Sequence, residues 1–393
     1  MPIYEKRSIL DVDAATLFAW HTRPGAFERL SPPWERLQVL ARYGGITDGA
    51  RVTLLLSRGP MRIRWEVLHR GFVDGVQFQD VMVAGPFKRW VHTHRVEPTG
   101  DGRATLIDSV DYALPFGPFG ALATRVFPGR ALDRLFAFRH RRIATDLARH
   151  QSVGQGRRLR LVLTGRADFM LGQLAAFLST GGHLVHVFPT AEDVRVGPAN
   201  TSWGPTAVPD QAALEQADVV LHVGLDALGE LLATLDTRRS RARAVVALPT
   251  VAAAGRPPVN TQALEASIAG AQRRVVALLT PGVLVARAAL DGLASPYTLT
   301  PSVDGPLVGL DDLIGAAHFA ACDDGVQGIV DVTLRRVAQT AAVPPSAARW
   351  VPDVGVVPLE SPDGGERRRL TDEGFAALNP SIDKTILAEL GWP

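Results

Sequence analysis

The apolar pattern changes period once, near residue 150, and that change divides the chain into two differently built halves. Before it, runs such as "MRIRWEVLHRGF", "VQFQDVMV", "KRWVHTHRVE" and "ATLIDSVDYAL" alternate with a period of two between Gly, Pro and Asp turns. Such runs make antiparallel strands with one buried and one wetted face. A helical repeat of Leu132, Leu135, Phe136, Ile143 and Leu147 then closes the half, from about Arg130 to His150. After it, wholly apolar strands ("RLVLT", "HLVHVF", "DVVLHVG", "AVVALPT", "RVVALLTPGVLV") alternate with helix-like "LGQLAAFLST", "LDALGELLATLD" and "NTQALEASIAGAQ". That order predicts a parallel sheet covered on both faces. The polar stretch "RHQSVGQGRRLR" marks the boundary, giving a domain over 1–150, a linker over 151–158 and a second domain over 159–393. The expected fold class is therefore α+β followed by a doubly wound α/β parallel sheet.

Charge separates the halves as well. Residues 1–150 carry 22 Lys and Arg against 15 Asp and Glu, a net +7, and residues 151–393 carry 20 against 25, a net −5. A balance of +7 is mild for a nucleic-acid binder, so nucleic acid is not an expected partner. No apolar run reaches the roughly 18 residues of a membrane span; "VVALLTPGVLVARAAL" is broken by Pro281, Gly282 and Arg287. The single cysteine, Cys322, cannot form an internal disulfide. A soluble cytoplasmic protein is expected, with a protein partner or a homo-oligomer left open.

Sorting the first-half strands by parity puts Trp65, His69, Phe78, Asp80, Trp90, His92, His94, Asp108 and Tyr112 on one mostly apolar face, toward the closing helix. The opposite face carries Arg62, Arg64, Gln77, Gln79, Arg95, Ser109 and Asp111. If "EPTGDGR" closes a hairpin, Val96 pairs with Leu106, His94 with Asp108 and Trp90 with Tyr112. A buried His–Asp pair has three readings: it fixes register, it orients a ligand, or, through the His-x-His spacing with Asp80 or Asp108, it holds a metal. No metal site is assigned from sequence. The nine residues are the candidate ligand cavity. The arginines of "RLFAFRHRR" read as the solvated face of the helix or as meeting the acidic second half, rather than as a nucleic-acid or membrane surface.

These strands, with "LFAWHTRPGAFERLSPPWE", "GPFKRWVHTHRVEP", "DYALPFGPFG" and "LFAFRHRR", resemble the START-like, helix-grip (SRPBCC) superfamily of polyketide cyclases and lipid-binding proteins over nearly all of residues 1–150. The resemblance implies a hydrophobic cavity between a bent antiparallel sheet and a long helix, but names no substrate.

The second half opens with "RLVLTGRADFMLGQL", a strand, turn and helix. It resembles the epimerase-like branch of the atypical extended short-chain dehydrogenase/reductase family, often described as nucleoside-diphosphate-sugar epimerases or cell-division inhibitors. The family's turn reads T-G-G-T-G-F-I-G. Here Thr164 and Gly165 match, Phe169 and Met170 match in type, Asp168 takes the second glycine's place and Leu171 the third. Asp168 sets a carboxylate where a pyrophosphate would lie. Pro189-Thr190 stands where a Ser-Arg meets the 2′-phosphate, with Glu192 and Asp193 just beyond. Gly224 is kept; Ala253 and Ala254 replace tyrosines, Thr280 an arginine and Gly309 a histidine, while Asp311, Asp312 and the tail from Gly365 match. No tyrosine and no lysine occur between residues 151 and 296, so the Tyr-x-x-x-Lys pair of hydride chemistry cannot form there; Tyr297 and Lys384 match neither position. Thr164, Gly165, Asp168, Phe169 and Gly224 are read as a vestigial cofactor turn. His183, His186, His222 and His318 share no ligand spacing and read as strand-end or surface residues; Cys322 reads as helix core.

The expected function is a two-domain binding or regulatory protein: a hydrophobic or aromatic small molecule in the first domain, and an inactive epimerase-like domain, without cofactor, as scaffold or partner surface. Two enzyme readings stand beside it. One is an NAD(P)-dependent epimerase or oxidoreductase with an atypical site; the other is cyclase- or hydrolase-like chemistry by His92, His94 and Asp108.

Overall fold

The computed structural model describes residues 3–32, 35–58, 60–115, 127–153, 158–165, 169–189, 211–248, 260–279, 283–284, 308–334 and 354–358. The chain divides into two compact units, the first ending at Ala148 and the second beginning at Arg149.

In the first unit, strand β1 (Ile3–Leu10) leads into helices α1 (Ala14–Thr22) and α2 (Ala26–Leu30). Asp13 starts α1 by accepting the Thr16 N–H at 2.8 Å, satisfying one of the donors a helix leaves free at its first turn. Six strands follow: β2 (Arg36–Tyr43), β3 (Arg51–Arg58), β4 (Met61–Val73), β5 (Gln77–Ala84), β6 (Arg89–Gly100) and β7 (Arg103–Ala113). They form one antiparallel sheet in the order β1-β7-β6-β5-β4-β3-β2. The β6–β7 turn places Gly100, Asp101 and Gly102 at positive φ, and sets the register deduced from the sequence: Val96 faces Leu106, His94 faces Asp108, Trp90 faces Tyr112.

Helix α3 (Phe127–Ser152) packs on the inner face of this sheet. Its Leu132 and Phe136 join Trp90, Val110 and Tyr112; its Ile143 and Leu147 join Leu17, Phe18, Trp20, Phe78, Val96 and Leu106. Each such side chain, withdrawn fully from water, contributes about 1.5–3 kcal/mol. The first unit is thus a helix-grip arrangement, as the resemblance implied. The helix begins three residues earlier than expected and runs two residues into the expected linker. One arginine of the run corrects the sequence reading: Arg142 is buried, lying over the Phe138 ring at 5.1 Å. Planar guanidinium groups stack on aromatic faces at little hydration cost, so a run of arginines need not mark a wetted face.

In the second unit β8 (Arg160–Gly165), β9 (Leu184–Pro189), β10 (Val219–Val223), β11 (Ala244–Leu248), β12 (Arg274–Leu279), β15 (Gly328–Leu334) and β16 (Val354–Pro358) form a sheet in the order β16-β15-β12-β11-β10-β8-β9. All neighbours are parallel except β16, which pairs antiparallel with β15. The short strands β13 (Val283–Leu284) and β14 (Val308–Gly309) pair separately. Successive residues of each strand enter opposite cores. Leu161, Leu163, Leu221 and Val246 meet helices α4 (Phe169–Thr180) and α8 (Leu310–Cys322). Val162, Val220, Val245 and Val275 pack with residues of α5 (Gln211–Gln216), α6 (Leu228–Thr237) and α7 (Thr261–Ala269). Two-sided burial is why these strands read as unbroken apolar runs.

Candidate functional site

Four neighbouring strands of the first unit, β4 to β7, carry the site. Cross-strand pairing sets His69 beside Asp80 and Asp80 beside His92; one row on, Phe78 lies beside His94 and His94 beside Asp108. Side chains on one face of a sheet stand within contact of such partners, so two carboxylates and three imidazoles meet at the inner wall. His140 of α3 closes over them.

Asp108 is the centre of this cluster. Its Oδ1 accepts His92 Nε2 at 2.8 Å and lies 2.7 Å from His94 Nδ1. Its Oδ2 accepts His140 Nε2 at 2.7 Å, and the far nitrogen of that ring, Nδ1, meets Ser8 Oγ at 2.8 Å. Asp80 holds the other edge: Oδ2 is 3.3 Å from His94 Nε2 and 3.7 Å from His92 Nδ1, and Oδ1 is 3.2 Å from His69 Nε2. The Phe78 ring stacks on His94 at 4.3 Å between centroids and fixes its plane.

Burial alone would lower the His94 imidazole, but the charge of Asp108 and contacts with Asp108 and Asp80 outweigh it and hold the group up at about 9. Burial likewise opposes ionisation of both carboxylates, yet the surrounding histidines hold Asp80 and Asp108 well below the ordinary carboxylate range. His21, buried on α1 with its ring centroid 6.0 Å from that of His94, is pushed down to about 4 by burial and by the neighbouring charge. His92, His94, Asp108 and His140 are buried, whereas the Asp80 side chain is 26% exposed and forms the open side of the cluster.

Beside it lies an aromatic wall. Trp65, Phe87, Trp90 and Tyr112 meet with centroid separations from 4.8 to 6.5 Å. Trp65 Nε1 on this wall and His21 Nε2 on α1 are buried without a hydrogen-bond partner among the described residues. Buried polar atoms are normally satisfied, so these two call for a partner. All nine cavity residues expected from sequence fall on these two surfaces. His21, His140 and Ser8 were not anticipated. The spacing did hold one clue: His140 continues the Leu132, Phe136, Ile143, Leu147 stripe. A groove of about 350 Å³ between β1 and α3, lined among others by Lys6, Ser8, His140 and Arg141, reaches the same histidine.

In the second unit Gly165 has φ +100°, and a Cβ there would sit 2.2 Å from the Val223 carbonyl oxygen. The close approach of β10 alone therefore requires this glycine. Thr164 Oγ1 bonds His222 Nδ1 at 2.8 Å, and Leu171 is buried in the core. Gly224 ends β10 at φ +132°. Asp168, Thr190, Glu192, Asp193, Ala253, Ala254, Thr280, Tyr297, Lys384 and the tail from Gly365 lie outside the described residues, as do the side chains of Phe169 and Asp312. Asp311 is buried.

One histidine reading is corrected here. His318 is buried within α8, neither at a strand end nor at the surface, because small neighbours such as Ala316, Ala317 and Ala320 leave room for an imidazole against Phe177. His222 is the penultimate residue of β10, a strand-end position as expected, and is buried there. His318 Nε2 lies 2.9 Å from His183 Nε2, and Cys322 stands within ligand distance of both. His186 is exposed, and Cys322 packs against the core as expected. Among the described residues no helix is long and apolar enough to cross a membrane.

Residues 10–139 match the family model described as polyketide cyclase / dehydrase and lipid transport. No curated protein matches the chain. A solved nucleoside-diphosphate sugar epimerase from Corynebacterium glutamicum is similar at 21% identity and a TM-score of 0.59, covering 84% of this chain and 77% of its own, which is a likeness of fold. A START superfamily protein from Mycobacterium smegmatis aligns over 34% of this chain and 92% of its own, at 16% identity and a TM-score of 0.28. Norcoclaurine synthase from Thalictrum flavum aligns over 38% and 88%, at 16% and 0.31. Residues 10–139 thus carry a polyketide cyclase-like, START-like domain.

Proposed function

We propose that the first unit binds a hydrophobic or aromatic small molecule between its sheet and α3, and that the second unit keeps a Rossmann-like, epimerase-type frame without the cofactor chemistry, acting as scaffold or partner surface. The observation that carries the first part is an aromatic wall ending in unsatisfied polar atoms and the half-open Asp80. Ligand sites combine those features: apolar area for affinity, a few polar groups for orientation. The family description of residues 10–139, which names lipid transport, supports the same class of ligand.

For the second unit, the need for Gly165 is met by strand packing, and Leu171 fills the place of the glycine that brings helix and strand together. The sequence also lacks the tyrosine and lysine of hydride transfer between residues 151 and 296.

The test is a titration of the full chain with anilinonaphthalene sulfonate and with long-chain fatty acids, read by probe emission and by tryptophan quenching. We expect saturable binding at one site, weakened at least tenfold by Trp90→Ala. Binding untouched by Trp90→Ala and Trp65→Ala would overturn the first part. Calorimetry with NAD(H) and NADP(H) tests the second; micromolar binding accompanied by turnover would establish the oxidoreductase reading in its place. The clustered His92, His94 and Asp108 keep a cyclase- or hydrolase-like reading open, since an imidazole held between carboxylates is a proton carrier.

A further inference from the structure

Both ring nitrogens of His92 and of His94 face oxygen acceptors. On one edge, His92 Nε2 and His94 Nδ1 address Asp108 at 2.8 and 2.7 Å. On the other, His92 Nδ1 and His94 Nε2 address Asp80 Oδ2 at 3.7 and 3.3 Å. A neutral imidazole has one N–H and one lone pair. With one N–H of each ring turned to Asp108, and an ion replacing the second proton of His94, two lone pairs and a carboxylate oxygen line one place. One cation there satisfies all three.

The spacing fits such an ion. Ligand atoms about 2.0–2.2 Å from a tetrahedral metal stand roughly 3.4 Å apart. The two N···O separations, 3.3 and 3.7 Å, bracket that value, and all three ligand atoms lie within 4.8 Å of one another. The surroundings fit as well. Metal-bound histidines usually give their second nitrogen to a carboxylate, and Asp108 takes that part for both rings. Phe78 stacks on His94, and His69 Nε2 sits 3.2 Å from the outer oxygen of Asp80 while its Nδ1 meets the Ala50 carbonyl at 3.4 Å. The partly exposed Asp80 gives an entry path and leaves a coordination position on its open side.

We infer that Asp80, His92 and His94 form a binding site for a divalent first-row transition ion, with Asp108 as the outer carboxylate. Two imidazoles and one carboxylate suit Zn²⁺, Co²⁺ or Fe²⁺ and disfavour Mg²⁺ or Ca²⁺, which prefer all-oxygen shells. The open position takes an oxygen donor, water or the oxygen of a bound molecule. This inference does not rest on the hydrophobic-ligand reading, and each test can fail alone.

The second cluster, His183, His318 and Cys322, is a weaker ligand set. His183 Nδ1 accepts the Leu159 N–H at 3.2 Å, so its Nε2 keeps the proton and donates it to His318 Nε2. No lone pair is left on that edge of His183 for an ion.

The experiment uses the full chain, stripped with EDTA and titrated with Co²⁺ under visible absorption, then with Zn²⁺ and metal analysis after desalting. The expected result is one equivalent with the intense visible band of four- or five-coordinate Co²⁺. Asp80→Asn, isosteric and partly exposed, is expected to weaken binding on the order of 100-fold, and Asp108→Asn by about 10–100-fold. His318→Asn is expected to leave it unchanged. A wild-type chain that takes up neither ion overturns the inference, as does binding that survives Asp80→Asn and His94→Gln or is lost in His318→Asn. Circular dichroism checks each variant; should His94→Gln unfold, Asp80→Asn decides alone.

Discussion

The pair that ties α2 to α3 gives a prediction with a worked magnitude. Arg29 meets Asp146 through two contacts, Nη2 to Oδ1 at 2.6 Å and Nε to Oδ2 at 2.8 Å, and the two side chains are 1% and 0% exposed. Such a fork-to-fork pair is strong in geometry but costly to desolvate. Removing either partner takes the opposite charge from a group that stays buried, while removing both takes away the pair as a whole. Arg29→Met and Asp146→Leu are therefore each expected to destabilise the first unit by about 3–5 kcal/mol, and the double variant to return to within about 1 kcal/mol of wild type. At an m-value of about 2 kcal/mol/M, each single variant moves the urea midpoint down by roughly 2 M. The assay is urea unfolding of the full chain followed by tryptophan emission, which Trp20, Trp65 and Trp90 report from the first unit. The curves are fitted with separate transitions for the two units. The reasoning fails if either single variant costs less than about 1 kcal/mol, or if the double costs the sum of the singles.

Three further predictions concern the remaining clusters. His318 is pushed down to about 3 by burial and by the neighbouring His183, so the unfolded chain takes up its proton first. Its contribution to stability is complete above about pH 6.5 and falls by about 1.4 kcal/mol per pH unit down to about 3; urea midpoints of the second unit at pH 7, 6 and 5 should drop in wild type and flatten in His318→Leu, and equal slopes would count against it. Gly165→Ala should cost the second unit roughly 3 kcal/mol or more, because it combines an unfavourable φ with a backbone clash; an unchanged denaturation curve would show that β10 can move aside. His140→Leu strands Asp108 Oδ2 and should cost about 2–3 kcal/mol, whereas Ser8→Ala, on the far edge of the same ring, should cost about 1; equal losses would show that the bond to Asp108 is not the stronger of the two.

The His94–Asp108 contact was legible in the sequence because alternation fixes it: the parity that buries Val96 against Leu106 sets His94 opposite Asp108, even with the register shift between Pro98 and Gly100. The pairing of His69 with Asp80 was not, since it depends on β4, whose register against β5 shifts between Glu66 and Val67 and again between Arg70 and Val73. Local counting cannot foresee a bulge that adds a residue to one strand. His140 escaped for another reason. Its stripe position was readable, but the arginines around it drew the reading toward solvent, and only the cation–aromatic contacts of Arg139 and Arg142 show why they stay near the core. Long-range pairs such as Arg29–Asp146, 117 residues apart, leave no local trace at all. The parallel sheet of the second unit was legible because unbroken apolar strands have few other uses.

A carboxylate with three imidazoles on it also constrains how this chain can vary. Asp108 serves two positions on the adjoining strand and one on the covering helix, so a change at 108 strands three partners at once, and a change at any one of them unbalances the charge felt by the others. Positions 92, 94, 108 and 140 are therefore not four independent choices but one. Chains descended from a common ancestor with this one should either keep the quartet whole or replace it whole, by apolar residues of similar volume, with half-converted intermediates scarce.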